Sequence, residues 1–210
     1  TVETDLLKVE ISHTGGTIQR VFLKQYNKEL NSAQKFELLY TEPGNIFQAK
    51  SGLYPDNNDF PNENSKYQSK QTNYILTGDK DLIVPFTWKN ENGIIVNKKY
   101  IFTAKDYVIE IAYDIKNNSG EAKKVGAYTR LVKNAVDKKA SFFIAQSFSG
   151  GALYIQKNDK KEVFEKIKFD KFNEQADVKS KNGWGAMLQQ YFLATFIPNP
   201  NNNSTYKTKE

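Results

Sequence analysis

Apolar and polar residues alternate through many short stretches of this 210-residue chain, and turn-forming residues interrupt them too often for long helices. Leu7, Val9 and Ile11 share one face while Lys8, Glu10 and Ser12 share the other, and Gly15-Gly16 then turns the chain into Thr17 to Leu23. That pattern predicts a hairpin. Further strands are predicted over Phe36 to Tyr40, Ile46 to Ala49, Asn73 to Thr77, Leu82 to Lys89, Ile94 to Thr103, Tyr107 to Lys116, Lys124 to Val132 and Ser141 to Phe148. Between many of them lie Gly78-Asp79, Asn90-Glu91-Asn92-Gly93, Asn117-Asn118-Ser119-Gly120 and Gly150-Gly151, where a left-handed backbone or an Asx turn is cheap. Short strands at fairly regular spacing favour an all-β antiparallel sandwich over a parallel α/β sheet. Twelve Tyr, fourteen Phe and two Trp supply core volume suited to pleated surfaces. The length fits one domain over residues 1–210.

Four segments read differently. Pro55 to Lys70 has almost no aliphatic residue and predicts a long, mobile surface loop. Lys157 to Gln175 fits either a strand pair or a short helix with flanking loops. Trp184 to Leu188 reads as a turn or short helical start, followed by a strand to Ile197 that Pro198 ends. Asn199 to Glu210 reads as a flexible tail or loop.

The composition narrows the chemistry. With no cysteine, disulfides and thiolate metal sites are excluded. The single histidine, His13, precedes the Gly15-Gly16 turn, so a multi-histidine metal centre is excluded and the residue reads as an exposed turn flank, not a general base. Asp56, Asp59 and Glu63 miss EF-hand spacing. Gly150-Gly151 and Gly183-Trp184-Gly185 lack the lysine and the strand-to-helix context of a phosphate cradle and read as backbone devices. No pair of carboxylates is singled out for glycoside chemistry. The asparagine sequons at Asn117, Asn202 and Asn203 read as turns. No catalytic residue, metal site or cofactor is expected. The net charge of +6 comes from scattered lysines such as Lys98-Lys99 and Lys123-Lys124, which predicts a solvated surface and no nucleic-acid site. No apolar run approaches the roughly 20 residues that span a bilayer, so the chain is expected to be soluble as given.

The run Gly183-Trp184-Gly185-Ala186-Met187-Leu188-Gln189-Gln190-Tyr191-Phe192-Leu193-Ala194-Thr195-Phe196-Ile197-Pro198 is unusually dense in uncommon residues. Together with Glu29 to Leu39, Phe47 to Leu53 and Asp5 to Gly16, it resembles the periplasmic domain of the YidC family of bacterial membrane protein insertases and chaperones. The resemblance spans nearly the whole chain. It implies a twisted β super-sandwich similar to galactose mutarotases, with few short helices, followed in the family by a C-terminal helical region before which this chain stops. It also implies a non-enzymatic accessory domain on the periplasmic face of the inner membrane, tethered by helices outside this chain and serving nascent membrane proteins through its parent. The part matching Ala145 to Ile197 is linked in the family to SecF and the Sec translocon. On that basis Gln146, Lys168, Lys171, Trp184, Met187, Gln189, Gln190 and Tyr191 are the candidate partner-binding residues. Two rivals remain: a carbohydrate-binding or carbohydrate-active sandwich, which needs an open aromatic cleft with converging carboxylates, and a groove that takes extended client segments by strand addition.

Overall fold

The computed structural model describes residues 1–55, 59–134, 148–157, 161–200 and 202–210, and the chain is all-β. It divides into two compact units, Thr1–Asn134 and Ala135–Glu210.

The first unit contains β1 (Val2–Glu3), β2 (Leu7–Ile11), β3 (Ile18–Asn27), β4 (Lys35–Glu42), β5 (Asn45–Tyr54), β6 (Tyr74–Ile75), β7 (Leu82–Lys89), β8 (Ile94–Phe102), β9 (Ile109–Asn117) and β10 (Gly126–Lys133). Seven strands form one sheet in the order β10-β5-β4-β3-β2-β1-β6, parallel only between β1 and β6. The antiparallel sheet β7-β8-β9 lies against it. Along β8, Ile94, Val96, Lys98, Tyr100 and Phe102 are buried at every second position, as the pleat requires. Ile94 and Val96 meet Leu53 of β5 and the loop residue Phe60, with Trp88 and Tyr113 packed on the cluster.

Lys98 departs from the expected solvated surface. The pleat splits the Lys98-Lys99 pair: Lys99 faces outward to pair with Asp114, whereas Lys98 is fully buried between the sheets. Its ammonium donates to the carbonyls of Gly15 (2.7 Å), Ser51 (3.2 Å) and Gly16 (3.4 Å). The ring centroids of Tyr100, Tyr67 and Tyr113 lie 5.2, 5.8 and 5.8 Å from it. Burial pushes its pKa down to about 7. The double glycine has a specific role here. Gly15 and Gly16 have φ of +68° and +60°, and a Cβ on Gly16 would sit 3.1 Å from the Lys98 Nζ.

The loop expected to be mobile is instead bound to the sandwich through its described part. Phe60, Pro61 and Tyr67 are buried. Leu53 N–H donates to Pro61 O (3.0 Å), Gly15 N–H to Ser65 O (2.7 Å) and Tyr67 N–H to His13 O (2.8 Å), while Gln68 and Thr87 exchange two bonds of 2.8 Å. Three large side chains and a satisfied backbone outweigh the polar composition.

The second unit contains β11 (Gly150–Lys157), β12 (Lys161–Ile167), a 3-10 helix (Phe169–Glu174), β13 (Val178–Ser180), β14 (Gly183–Leu188), β15 (Leu193–Phe196) and β16 (Ser204–Tyr206). Four strands form an antiparallel sheet in the order β12-β11-β14-β15, and β13 pairs with β16. Several expectations change here. Gly150-Gly151 opens a strand and is not a turn. Lys157 to Gln175 holds both a strand and a short helix. Trp184 to Leu188 is a strand and not a helical start. Part of the tail is ordered, because Val178↔Tyr206 pairing and the bond from Thr208 Oγ1 to Phe172 O (2.7 Å) hold it. The strand expected over Ser141 to Phe148 falls outside the described residues except at Phe148, which is not in a strand. Among the described residues, no helix is long and apolar enough to cross a membrane.

Candidate functional site

The segment singled out by its residue density folds as one hairpin. Strand β14 pairs with β15 from Gly185↔Phe196 to Leu188↔Leu193, and Gln189 N–H donates to Phe192 O (2.8 Å) across the turn. The hairpin lies at one side of the four-stranded sheet.

The two faces of this sheet differ. One is closed, with Leu153, Ile155, Ile167 and Met187 buried. Gly151 allows this closure, since a Cβ there would stand 2.9 Å from the Phe172 ring of the 3-10 helix. The other face is partly open. Phe164, Tyr154 and Trp184 stand in register on β12, β11 and β14. Tyr154 stacks on Trp184 with ring centroids 5.7 Å apart and planes inclined by 14°, and Phe164 lies 6.0 Å from Trp184. The row continues toward Leu188 and Leu193, which face each other across the hairpin. Phe164 and Leu193, on this face, are 52 and 45% exposed, and Ile197, just past β15, is 66% exposed. At the hairpin tip Tyr191 is 81% exposed, its hydroxyl 2.8 Å from the Gln190 amide. From Asn182 to Tyr206 the chain has no Asp, Glu, Lys or Arg, although 26% of all residues are charged. The hairpin is therefore an uncharged island.

The candidate residues fall into three groups. Trp184, Gln189, Gln190 and Tyr191 lie together on the hairpin, with Trp184 half-buried in the aromatic row. Met187 also belongs to β14 but is buried on the closed face, so it stabilises the sheet and offers nothing to a partner. Lys168 and Lys171 are exposed around the 3-10 helix, Lys171 paired with Glu174 at 2.7 Å. Gln146 lies outside the described residues. Phe164 and Leu193 are members of the same surface that the sequence did not single out. Register across the four strands identifies them, and only the alternation within β12 hinted at it.

Asp59, Glu63 and His13 are committed to structure. Asp59 pairs with Lys123 (3.4 Å), and Glu63 with Arg130 and with Lys50 (3.6 Å), so these carboxylates are neutralised by cations. Asp56 is outside the described residues. His13 is exposed, its Nδ1 3.2 Å from Tyr67 O, with its ring at the edge of Phe86. Among the described residues, no three His, Cys, Asp or Glu side chains gather as a metal site. A groove of about 620 Å³ in the second unit is lined by Gln156, Lys179, Ser180, Lys181, Asn203, Ser204 and Thr205 and contains no carboxylate side chain.

Comparison with known proteins gives the family of the chain. Residues 1–210 match the family described as the YidC periplasmic domain. The chain belongs to that family. It is 46% identical over 209 residues to the membrane protein insertase YidC of Ruthia magnifica subsp. Calyptogena magnifica. It is 45% identical over 209 residues to the protein of the same name from Vesicomyosocius okutanii subsp. Calyptogena okutanii (strain HA). In each case the match covers 100% of this chain and 37% of the relative, so the chain spans little more than a third of the curated relatives it matches. The resemblance read from the four sequence segments is thereby established over the whole length.

Proposed function

We propose that this chain is the periplasmic accessory domain of an inner-membrane insertase, which helps membrane proteins insert and fold alone or beside the Sec translocon. Its second unit docks SecF through the β14–β15 hairpin and the lysines near it. The relatives' printed name, membrane protein insertase, supports the first part. The membrane-spanning and client-handling parts then belong to the portion of such a protein that this chain does not cover. One observation carries the docking role: an uncharged hairpin with Tyr191 81% exposed at its tip and an apolar strip beside it, on a sheet whose other face is closed. Exposed aromatics anchor interfaces, and rim charges tune encounter and specificity. The role is binding, not catalysis.

Full-length insertase carrying this domain tests the reading by co-purification with the SecF-containing complex. Lys168→Glu combined with Tyr191→Asp is expected to weaken association about tenfold, or ~1.4 kcal/mol, without altering folding. The control changes Lys8→Glu and Lys116→Glu, on exposed lysines of the first unit, are expected to leave it unchanged. Equal loss from both pairs would indicate a non-specific charge effect, and no loss from the first would remove the hairpin as the docking site.

A further inference from the structure

The two edges of the four-stranded sheet are managed differently. Strand β12 carries Glu162, Glu165 and Lys166 on its edge, the usual protection against pairing with another chain. Strand β15, with its continuation Leu193-Ala194-Thr195-Phe196-Ile197, carries no charge. Among the described residues, nothing pairs with its outer side. The bond from Gln189 N–H to Phe192 O sets the hydrogen-bond phase of the hairpin. Antiparallel alternation then gives Met187↔Ala194 and Gly185↔Phe196 the bonds to β14 and turns the N–H and C=O groups of Leu193 and Thr195 outward. The same two residues belong to the partly open face, where Leu193 sits beside Leu188, and Trp184 is two residues along β14 from Ala186, the partner of Thr195. An outward row of donors and acceptors flanked by apolar side chains is complementary to an extended backbone with alternating apolar residues.

From this we infer that the β15 edge binds an extended, uncharged segment of another polypeptide by strand addition, with every second side chain of the added strand standing beside Leu193 and Thr195 on the partly open face. The inference rests on the docking role proposed above and names the chemistry of what docks. Charge favours a foreign strand over a second copy of this chain, because two copies at +6 each repel whereas a neutral or acid-flanked segment does not. The edge supplies affinity through the backbone, and the partly open face supplies selectivity for apolar alternate positions.

The test uses the 210-residue chain and a synthetic peptide of alternating valine and threonine flanked by glutamates, with amide hydrogen exchange read residue by residue. The peptide is expected to slow exchange at Leu193 and Thr195 by at least about tenfold. Thr195→Pro removes one outward donor at a position where an edge strand tolerates proline, and is expected to abolish that protection. The same peptide N-methylated on alternate amides leaves the protein unaltered and is expected not to bind. Absence of protection at both residues, or equal binding by the N-methylated peptide, overturns strand addition. Protection that rises with protein concentration without peptide also overturns it, by assigning the edge to a second copy. If peptide binding fails while co-purification still depends on Tyr191 and Lys168, only the mode falls; if the peptide binds as expected while co-purification is indifferent, only the docking role falls.

Discussion

Lys98→Ala is expected to lower the unfolding free energy at pH 7 by about 3–5 kcal/mol. Truncation leaves a cavity between the sheets and deprives the carbonyls of Gly15 and Ser51 of the ammonium that reaches them at 2.7 and 3.2 Å. It also unlocks the turn between β2 and β3, which Lys98 and the Tyr100 hydroxyl both hold through Gly16 O. The same residue sets a pH dependence. Its pKa falls from 10.5 in the unfolded chain to about 7 in the fold, so the unfolded state binds the extra proton between those values. Stability is full above the unfolded value and is lost as pH falls toward 7, below which it levels off. The gap corresponds to at most roughly 5 kcal/mol, which the three carbonyls and three rings reduce by favouring the ammonium. Tyr67, Tyr100 and Tyr113 are pushed up by burial, so their contribution is present below pH 10 and lost above it. The urea midpoint is therefore expected to rise from pH 7 toward 10 and then fall. Lys98→Met should remove the rise and keep the fall, and a rise that persists in that variant would show that another group titrates.

Phe60→Ala is expected to cost about 3–5 kcal/mol although it changes a residue in a polar loop. Phe60 is 4% exposed and completes the cluster of Leu53, Ile94 and Val96, so its loss opens the end of the sandwich between β5 and β8. Asn64→Ala, at an exposed position of the same loop, should cost less than about 0.5 kcal/mol. Chemical denaturation separates the two, and equal small effects would mean that the loop contributes little to the core.

These residues also show where the sequence was readable. The β2–β3 hairpin, β7 and β8 follow from period-2 alternation bounded by glycine and asparagine turns, and in each the local signal agrees with the tertiary result. The alternation of Ile94, Val96, Tyr100 and Phe102 places Lys98 on the buried face, but composition argued for solvent because the carbonyl and tyrosine cage comes from four distant segments. Phe60 failed for a related reason: its neighbours are polar, and its partners lie on β5 and β8. At Gly150 and Gly183, where a Cβ would stand 2.4 and 2.3 Å from the carbonyl oxygens of Ile167 and Tyr154, glycine serves close approach within a sheet and not chain reversal, and local pattern does not separate the two uses. The β14–β15 turn, Gln189-Gln190-Tyr191-Phe192, lacks the glycine or asparagine that announces a hairpin, so the free edge of β15 was not visible in advance. Trp184 and the tip residues stand in the run that carries the family resemblance, whereas the place of Phe164 in the aromatic row needed the register.

The hairpin of the second unit is proposed above as the docking surface of this domain. It is tested most directly by placing a photo-crosslinking amino acid at Tyr191, at Leu193 and, as a control, at Ile83, which is 51% exposed in the first unit. In full-length insertase within cells, Tyr191 and Leu193 are expected to crosslink to SecF, identified by mass, and Ile83 is not. Crosslinking to SecF from Ile83 alone, or none from the hairpin positions while the insertase and SecF co-purify, would rule out the hairpin as the docking surface.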